Sequence, residues 1–392
     1  MAVVFRSFRG LIRLLLAIQL TCGIAAGVEA ATPHPDTNTC FVYFGTYTRA
    51  QSKGIYVCRL DTTTGALTPP ALAVATANPS FLALDPNHQF LYSCGAISSM
   101  SNGLVNAFRV DNQTGTLTFL NQQPSAGLGP CHLAVDASSR CVLVANYGNG
   151  SIAALPIHAD GSLGPPATTI QHHGSSVNPQ RQQGPHAHCV GFDPANRRAF
   201  CADLGLDKVL VYRFDPATAT LTPNDPPCGV VKPGAGARHF VFGPNGRRVY
   251  VINEIQSTIT AFDYDPQRGS LTEFQTVPTL PETFTGTNTA AEIAIHPNGK
   301  FLYGSNRGDN SVVVYAIDDA TGKLAFVERQ STLGKTPRMF AIDPTGKFLL
   351  AANQDSNTIV EFRIDPVTGR LTPTGQSIEV SLPCCVVFVT ME

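Results

Sequence analysis

Short apolar runs alternate with Gly-, Pro- and Asp-rich turns along almost the whole chain. In one representative stretch, Arg238-His239-Phe240-Val241-Phe242 reads as a strand and Gly243-Pro244-Asn245-Gly246 as the turn that follows it. Val249 to Ile252 form a second apolar strand, and Ile255 to Thr258 cross another turn. Ile259 to Tyr264 then alternate with the period of two that marks a half-buried strand. Asp265-Pro266 opens a last turn, and Leu271 starts a fourth strand.

This four-strand unit recurs, and its marker is the tripeptide Gly-x-Leu. The copies begin at Gly65, Gly115, Gly161, Ala219 (Ala in place of Gly), Gly269, Gly322 and Gly369. They lie roughly 50 residues apart. A unit of that size cannot bury its apolar face alone and must stack on copies of itself. Seven copies predict an all-β, seven-bladed β-propeller with four antiparallel strands per blade, A to D, over residues 38–392. Phe41 to Phe44 read as a strand B with no A before it, and Val386 to Val389 as a strand A with nothing after it. The ring is therefore expected to close through a composite blade, A from the C-terminus and B–D from the N-terminus, which removes an open sheet edge.

Strand A lines the axis of a propeller and strand B runs back beside it. The starts of all A strands and the ends of all B strands must then meet on one rim of the central channel. The A-start pairs are Ser80-Phe81, Cys131-His132, His188-Cys189, Arg238-His239, Ala291-Glu292, Arg338-Met339 and Cys384-Cys385. Strands B tend to end in Asn or Asp followed by a variable residue: Tyr147, Leu204, Glu254, Arg307 and Gln354. Charged groups are rarely buried without partners, so a rim gathering His132, His188, Arg238, His239, Glu254, Arg307 and Arg338 points to chemistry. Converging arginines suit a carboxylate, a phosphate or an oxyanion developing on an ester carbonyl. Glu254 and the histidines are candidate proton carriers. Glu292 stands equally for site and for blade-to-blade brace. The long segment from Gln171 to His188 is expected to bring Arg181 and His186 to the same rim, with His172-His173 on a solvated loop.

Composition adds limits. Formal net charge is −1, with 43% hydrophobic and 14% charged residues, which gives no reason to expect nucleic acid or an anionic membrane as partner. Arg6, Arg9 and Arg13 precede an apolar run from Leu14 to Ala26, so residues 1–31 read as a signal peptide and the protein as secreted or periplasmic. No later segment has the 18 apolar residues of a membrane span. The 11 cysteines include no Cys-x-x-Cys, so no metal site is expected; Cys189 and Cys201 stand either as facing partners across a hairpin or as buried thiols.

Several segments in order carry a family resemblance: Arg181-Gln182, Pro185-His186-Ala187-His188, Ala202 to Val209, Arg238-His239, Asn253-Glu254, Ser305-Asn306-Arg307-Gly308, Pro337-Arg338 and Ala352-Asn353-Gln354. Nearly the whole chain beyond residue 31 resembles the lactonase family of seven-bladed propellers, which includes propeller-type 6-phosphogluconolactonases and fungal carboxy-cis,cis-muconate cyclases. The resemblance implies a catalytic set of His188 or His186, Arg238, Arg307 and Glu254. Substrate contacts are expected from His132, Arg181, His186, His239, Arg338 and Gln354. It implies hydrolysis of a small-molecule sugar lactone, expected to be anionic, with no cofactor. Muconate-type lactonisation and a non-catalytic binding propeller are the alternatives.

Overall fold

The computed structural model describes residues 38–390; the expected signal peptide lies outside the described residues. Seven four-stranded sheets are present, each antiparallel and each ordered A-B-C-D from the axis outwards. Each strand A touches the A strands of both neighbouring blades, so the inner strands form a closed ring. The closing blade is the composite one. Pro383–Thr390 pairs antiparallel with Thr39–Thr46, setting Val386 against Phe44 and Val389 against Phe41.

Seven apolar clusters fill the seven gaps between neighbouring sheets, including the gap between the first and last blades, where Val42 and Phe44 meet Leu350 and Ile359. The Gly-x-Leu marker has a structural cause. Gly115 has φ 75° and lies against the Phe41 ring of the preceding blade, where a Cβ would approach to 2.8 Å. The hydroxyl of Tyr43, on strand B of that blade, donates to the Gly115 carbonyl at 2.8 Å. Tyr250 and Gly322, and Tyr303 and Gly369, repeat the bond at 2.8 Å. The turn is thus a lock between blades, and it demands both positive φ and the missing side chain. Ala219 takes φ 51° at its copy, where the preceding strand B, Cys141–Asn146, carries no tyrosine. The Asp-Pro turns are architectural too, as Asp343 shows by accepting the Phe348 amide at 2.7 Å.

One pair of sequence alternatives is decided in favour of buried thiols, and one sequence expectation needs correction. Cys189 lies opposite Ala202, and Cys201 opposite Val190. One residue of offset puts the two side chains on opposite faces of the sheet, in different clusters, and both thiols are free. His172 is buried, not on a solvated loop. Its Nδ1 meets Asp203 Oδ2 at 2.7 Å and its Nε2 the Tyr212 hydroxyl at 2.9 Å, pinning the long insertion to the blade, while His173 is exposed.

Among the described residues, one buried carboxyl away from the channel rim lacks a hydrogen-bond partner. Glu361, on strand Thr358–Ile364, is fully buried beside Phe348, and neither carboxyl oxygen has a hydrogen-bond partner among the described residues. Burial pushes its pKa up to about 7 against the opposing pull of Arg363. The protonated acid is the form the fold accommodates, so its contribution is complete below the ordinary carboxyl pKa and is lost as pH rises through about 7. Glu361→Leu should therefore raise Tm more at pH 8 than at pH 5, by roughly 2–4 °C at the higher pH, as scanning calorimetry can measure.

Candidate active site

Local backbone irregularity aims the inner side chains. In strand Ala237–Phe242, Ala237 pairs with Asn253 and His239 with Ile252, so Arg238 is an extra, bulged residue. His188 is skipped in the same way between Ala187 and Cys189, Arg338 between Pro337 and Met339, and Cys131 between Pro130 and His132. Bulges re-aim a side chain without breaking the ladder, and here they turn His188, Arg338 and Cys131 to the cavity and Arg238 to Glu254. The residue after each strand B is held by its amide. Glu254 N–H donates to Gly236 O at 2.7 Å, Arg307 to Thr289 O at 2.9 Å and Gln354 to Thr336 O at 3.0 Å.

These positions, apart from Arg238, line a cavity of about 420 Å³ at the hub, a size that suits a small ligand. Glu254 is its charge centre. Arg181 Nη2 lies 2.6 Å from its Oε1, while Arg307 Nη2 at 2.7 Å and Arg238 Nε at 3.0 Å hold its Oε2. Arg238 approaches from the deeper side and is anchored by donating to Ala291 O of the next blade at 2.6 Å. Burial raises the Glu254 carboxyl, but Arg307, Arg238 and Arg181 outweigh it and hold the pKa down at about 2. Glu254 is therefore ionised at any working pH. Burial lowers Arg307 to about 9, with Glu254 opposing the shift.

His188 stands on the other side of the carboxylate, its Nε2 4.0 Å from Glu254 Oε2. Its Nδ1 is buried without a hydrogen-bond partner among the described residues. Burial first, then Arg238, push the imidazole well below its ordinary pKa. A neutral imidazole facing the cavity beside a fixed carboxylate is equipped to accept a proton.

The other expected residues divide by depth. Arg181, Arg338 and Gln354 line the same cavity as His188, Glu254 and Arg307. His132 and His239 do not. They lie one residue further along strand A, where the His239 ring meets those of His132 at 5.1 Å and His188 at 5.2 Å. Their neutral state is favoured by burial. Glu292 sits with them, bonded to His239 Nδ1 at 2.9 Å, and burial pushes its pKa up to about 8. This geometry makes Glu292 a brace between blades. His186 lies behind the wall, its ring stacked on Tyr147 at 4.5 Å and its Nδ1 2.9 Å from the Tyr147 carbonyl. Of the two histidines in His186-Ala187-His188, His188 is the one that lines the cavity.

The 7-bladed β-propeller lactonase family matches residues 41–388. The chain belongs to this family. Similarity to individual lactonases spans most of the chain. A 6-phosphogluconolactonase of Bacillus subtilis is 38% identical over 298 residues, covering 76% of this chain and 83% of that protein. One of Formosa agariphila is 33% identical over 304 residues, covering 76% and 85%. The solved periplasmic gluconolactonase of Pseudomonas aeruginosa has a TM-score of 0.86 at 36% identity, over 90% of this chain and 100% of that one.

Tyr47 and Arg49 are among the cavity residues of this lactonase that escape a reading of the sequence. Tyr47 lines the wall, and Arg49 stands exposed at the same wall. Tyr47 follows strand B of the composite blade, and its amide donates to Leu382 O at 3.1 Å, as its counterparts do in other blades. Thr46 replaces the Asn or Asp that marks this position in five other blades, so the signal was positional and carried no marker residue. Tyr147 is legible by that marker, and its hydroxyl accepts from Arg181 at 3.3 Å.

Proposed function

We propose that this lactonase hydrolyses the ring ester of a sugar lactone, with His188 as general base. The observation that carries the reading is a neutral, cavity-facing imidazole 4.0 Å from a carboxylate that is itself held by three guanidinium groups. Water adds to the lactone carbonyl carbon as His188 takes its proton. The carbonyl oxygen becomes an alkoxide, which the N–H groups of Arg307 and Arg181 not engaged by Glu254 stabilise. The imidazolium, stabilised by Glu254, returns the proton to the ring oxygen as the C–O bond breaks, and the aldonic acid leaves. Glu254 acts here as a fixed negative charge, because a carboxylate at about 2 is a weak base. Arg238 touches none of the reacting atoms in this scheme and positions Glu254.

The scheme has a pH signature. A base with a lowered pKa stays unprotonated in mild acid, so kcat/KM should stay flat from pH 8 down past the ordinary imidazole value of about 6.5. The acid limb belongs to His188 and should vanish, along with most of the rate, in His188→Gln. A limb centred at or above about 6.5 would point to a different, exposed base.

We propose further that residues 1–31 direct export, in line with the likeness to a periplasmic gluconolactonase. Among the described residues, no helix is long and apolar enough to cross a membrane.

A further inference from the structure

Tyr147 lines the cavity with a hydroxyl that the hydrolytic scheme leaves without a task. It follows strand Cys141–Asn146 directly, the rim position that Glu254 and Arg307 take in their own blades. Its amide donates to Gly129 O at 3.0 Å, and its carbonyl accepts from His186 Nδ1 at 2.9 Å. The ring is held by two histidines. His186 stacks on it at 4.5 Å with 19° between the planes, and His188 meets it edge-on at 5.5 Å and 80°. Phenylalanine would stack as well, so packing alone does not account for the hydroxyl. Arg181 does. Its Nη2 donates to the Tyr147 oxygen at 3.3 Å and lies 2.6 Å from Glu254 Oε1. Among the described residues the hydroxyl donates to no acceptor, so its proton is available to a ligand. Burial raises the phenol pKa against the pull of Arg181, and Tyr147 keeps that proton at working pH. An O–H that accepts from a guanidinium is polarised into a stronger donor.

We infer that Tyr147 is a further catalytic residue, its O–H donating to the alkoxide that forms on the lactone carbonyl, beside Arg181 and Arg307; this rests on the lactonase reading. No proton is transferred at Tyr147. His188 takes the proton of the attacking water and returns it to the ring oxygen, while the phenol stays protonated throughout. Arg181 identifies the oxygen concerned. Its Nη2 reaches Tyr147 and Glu254 at once, so a carbonyl oxygen that meets the remaining N–H groups of Arg181 lies in the corner the Tyr147 hydroxyl also serves. A neutral donor binds the uncharged carbonyl weakly and the negative oxygen strongly, so its effect belongs to the transition state. The stack on His186 gives that histidine a positioning role behind the wall: it holds the ring from which the hydroxyl projects.

The test is Tyr147→Phe, which keeps the ring and its stack and removes only the oxygen. On the better substrate of D-glucono-1,5-lactone and its 6-phosphate, kcat should fall about a hundredfold while KM stays within about threefold. The drop should be uniform between about pH 6 and pH 8, because the phenol does not titrate there. A loss in kcat below about fivefold, a loss that falls mainly on KM, or one confined to one end of that pH range would overturn the role. A merely structural tyrosine would act through Arg181, and adding Tyr147→Phe to Arg181→Gln would then cost nothing further. A further loss of about tenfold or more supports a bond from the hydroxyl to the substrate. Calorimetric titration with the cyclic phosphonate counterpart of the lactone, whose charged P–O oxygen stands where the alkoxide forms, needs no turnover. Binding to the wild type about tenfold tighter than to Tyr147→Phe supports the donor even if both lactones prove inert, and equal binding, or none, contradicts it. An inert wild type alone would instead strike at the hydrolase reading.

Discussion

Glu254→Gln is expected to lower kcat/KM for lactone hydrolysis by roughly a thousandfold or more, measured as proton release with a pH indicator. The substitution keeps shape and hydrogen-bonding capacity but removes the negative charge on which Arg181, Arg238 and Arg307 converge. Two losses then act together. The imidazolium of His188, formed as water is deprotonated, loses the carboxylate beside it. The three guanidiniums, now repelling one another, spread apart, and the two that face the cavity leave the carbonyl oxygen. The effect should fall on kcat more than on KM, since the interaction matters most where charge develops. A loss below about tenfold would remove Glu254 from the mechanism.

Arg238→Met should be the most destabilising single change at the hub. Arg238 is 2% exposed, ties Glu254 to its own blade and reaches the Ala291 carbonyl of the next. Methionine fills similar space but leaves that carbonyl without its donor and weakens the cage around a buried carboxylate. Breaking one partner of a buried, hydrogen-bonded pair costs about 3–5 kcal/mol. For a domain of this size the expected drop in Tm is about 4–7 °C. Activity should fall as well, because Glu254 loses its support from below. The double variant Arg238→Met/Glu254→Gln should be more stable than the two single losses added together, since the second change removes the charge that the first left exposed. Strict additivity would mean that the two side chains are not coupled.

The architecture was legible because it is periodic. A Gly-x-Leu repeat fixes blade number, and the strand fragments at either end imply the composite closure, as the pairing of Pro383–Thr390 with Thr39–Thr46 bears out. The hub was legible for the same reason: equivalent positions in separate blades must converge, and Arg238, Glu254 and Arg307 do so within hydrogen-bonding distance. What escaped is what periodicity does not encode. A one-residue bulge decides that His188 lines the cavity and that Arg238 turns to Glu254, while His239 and His132 pack below it. The burial of His172 depends on Asp203 and Tyr212, both far along the chain. Tyr47 was hidden because Thr46 broke the local pattern, although its place in the blade is that of Glu254.

The most direct measurement is proton release from D-glucono-1,5-lactone and its 6-phosphate, followed side by side with the wild type, with Glu254→Gln and with no protein. The hub mechanism predicts saturable hydrolysis by the wild type, far above the spontaneous rate, that collapses to near background in the variant. Equal rates in wild type and variant, or a wild type no faster than water alone on either lactone, would contradict it.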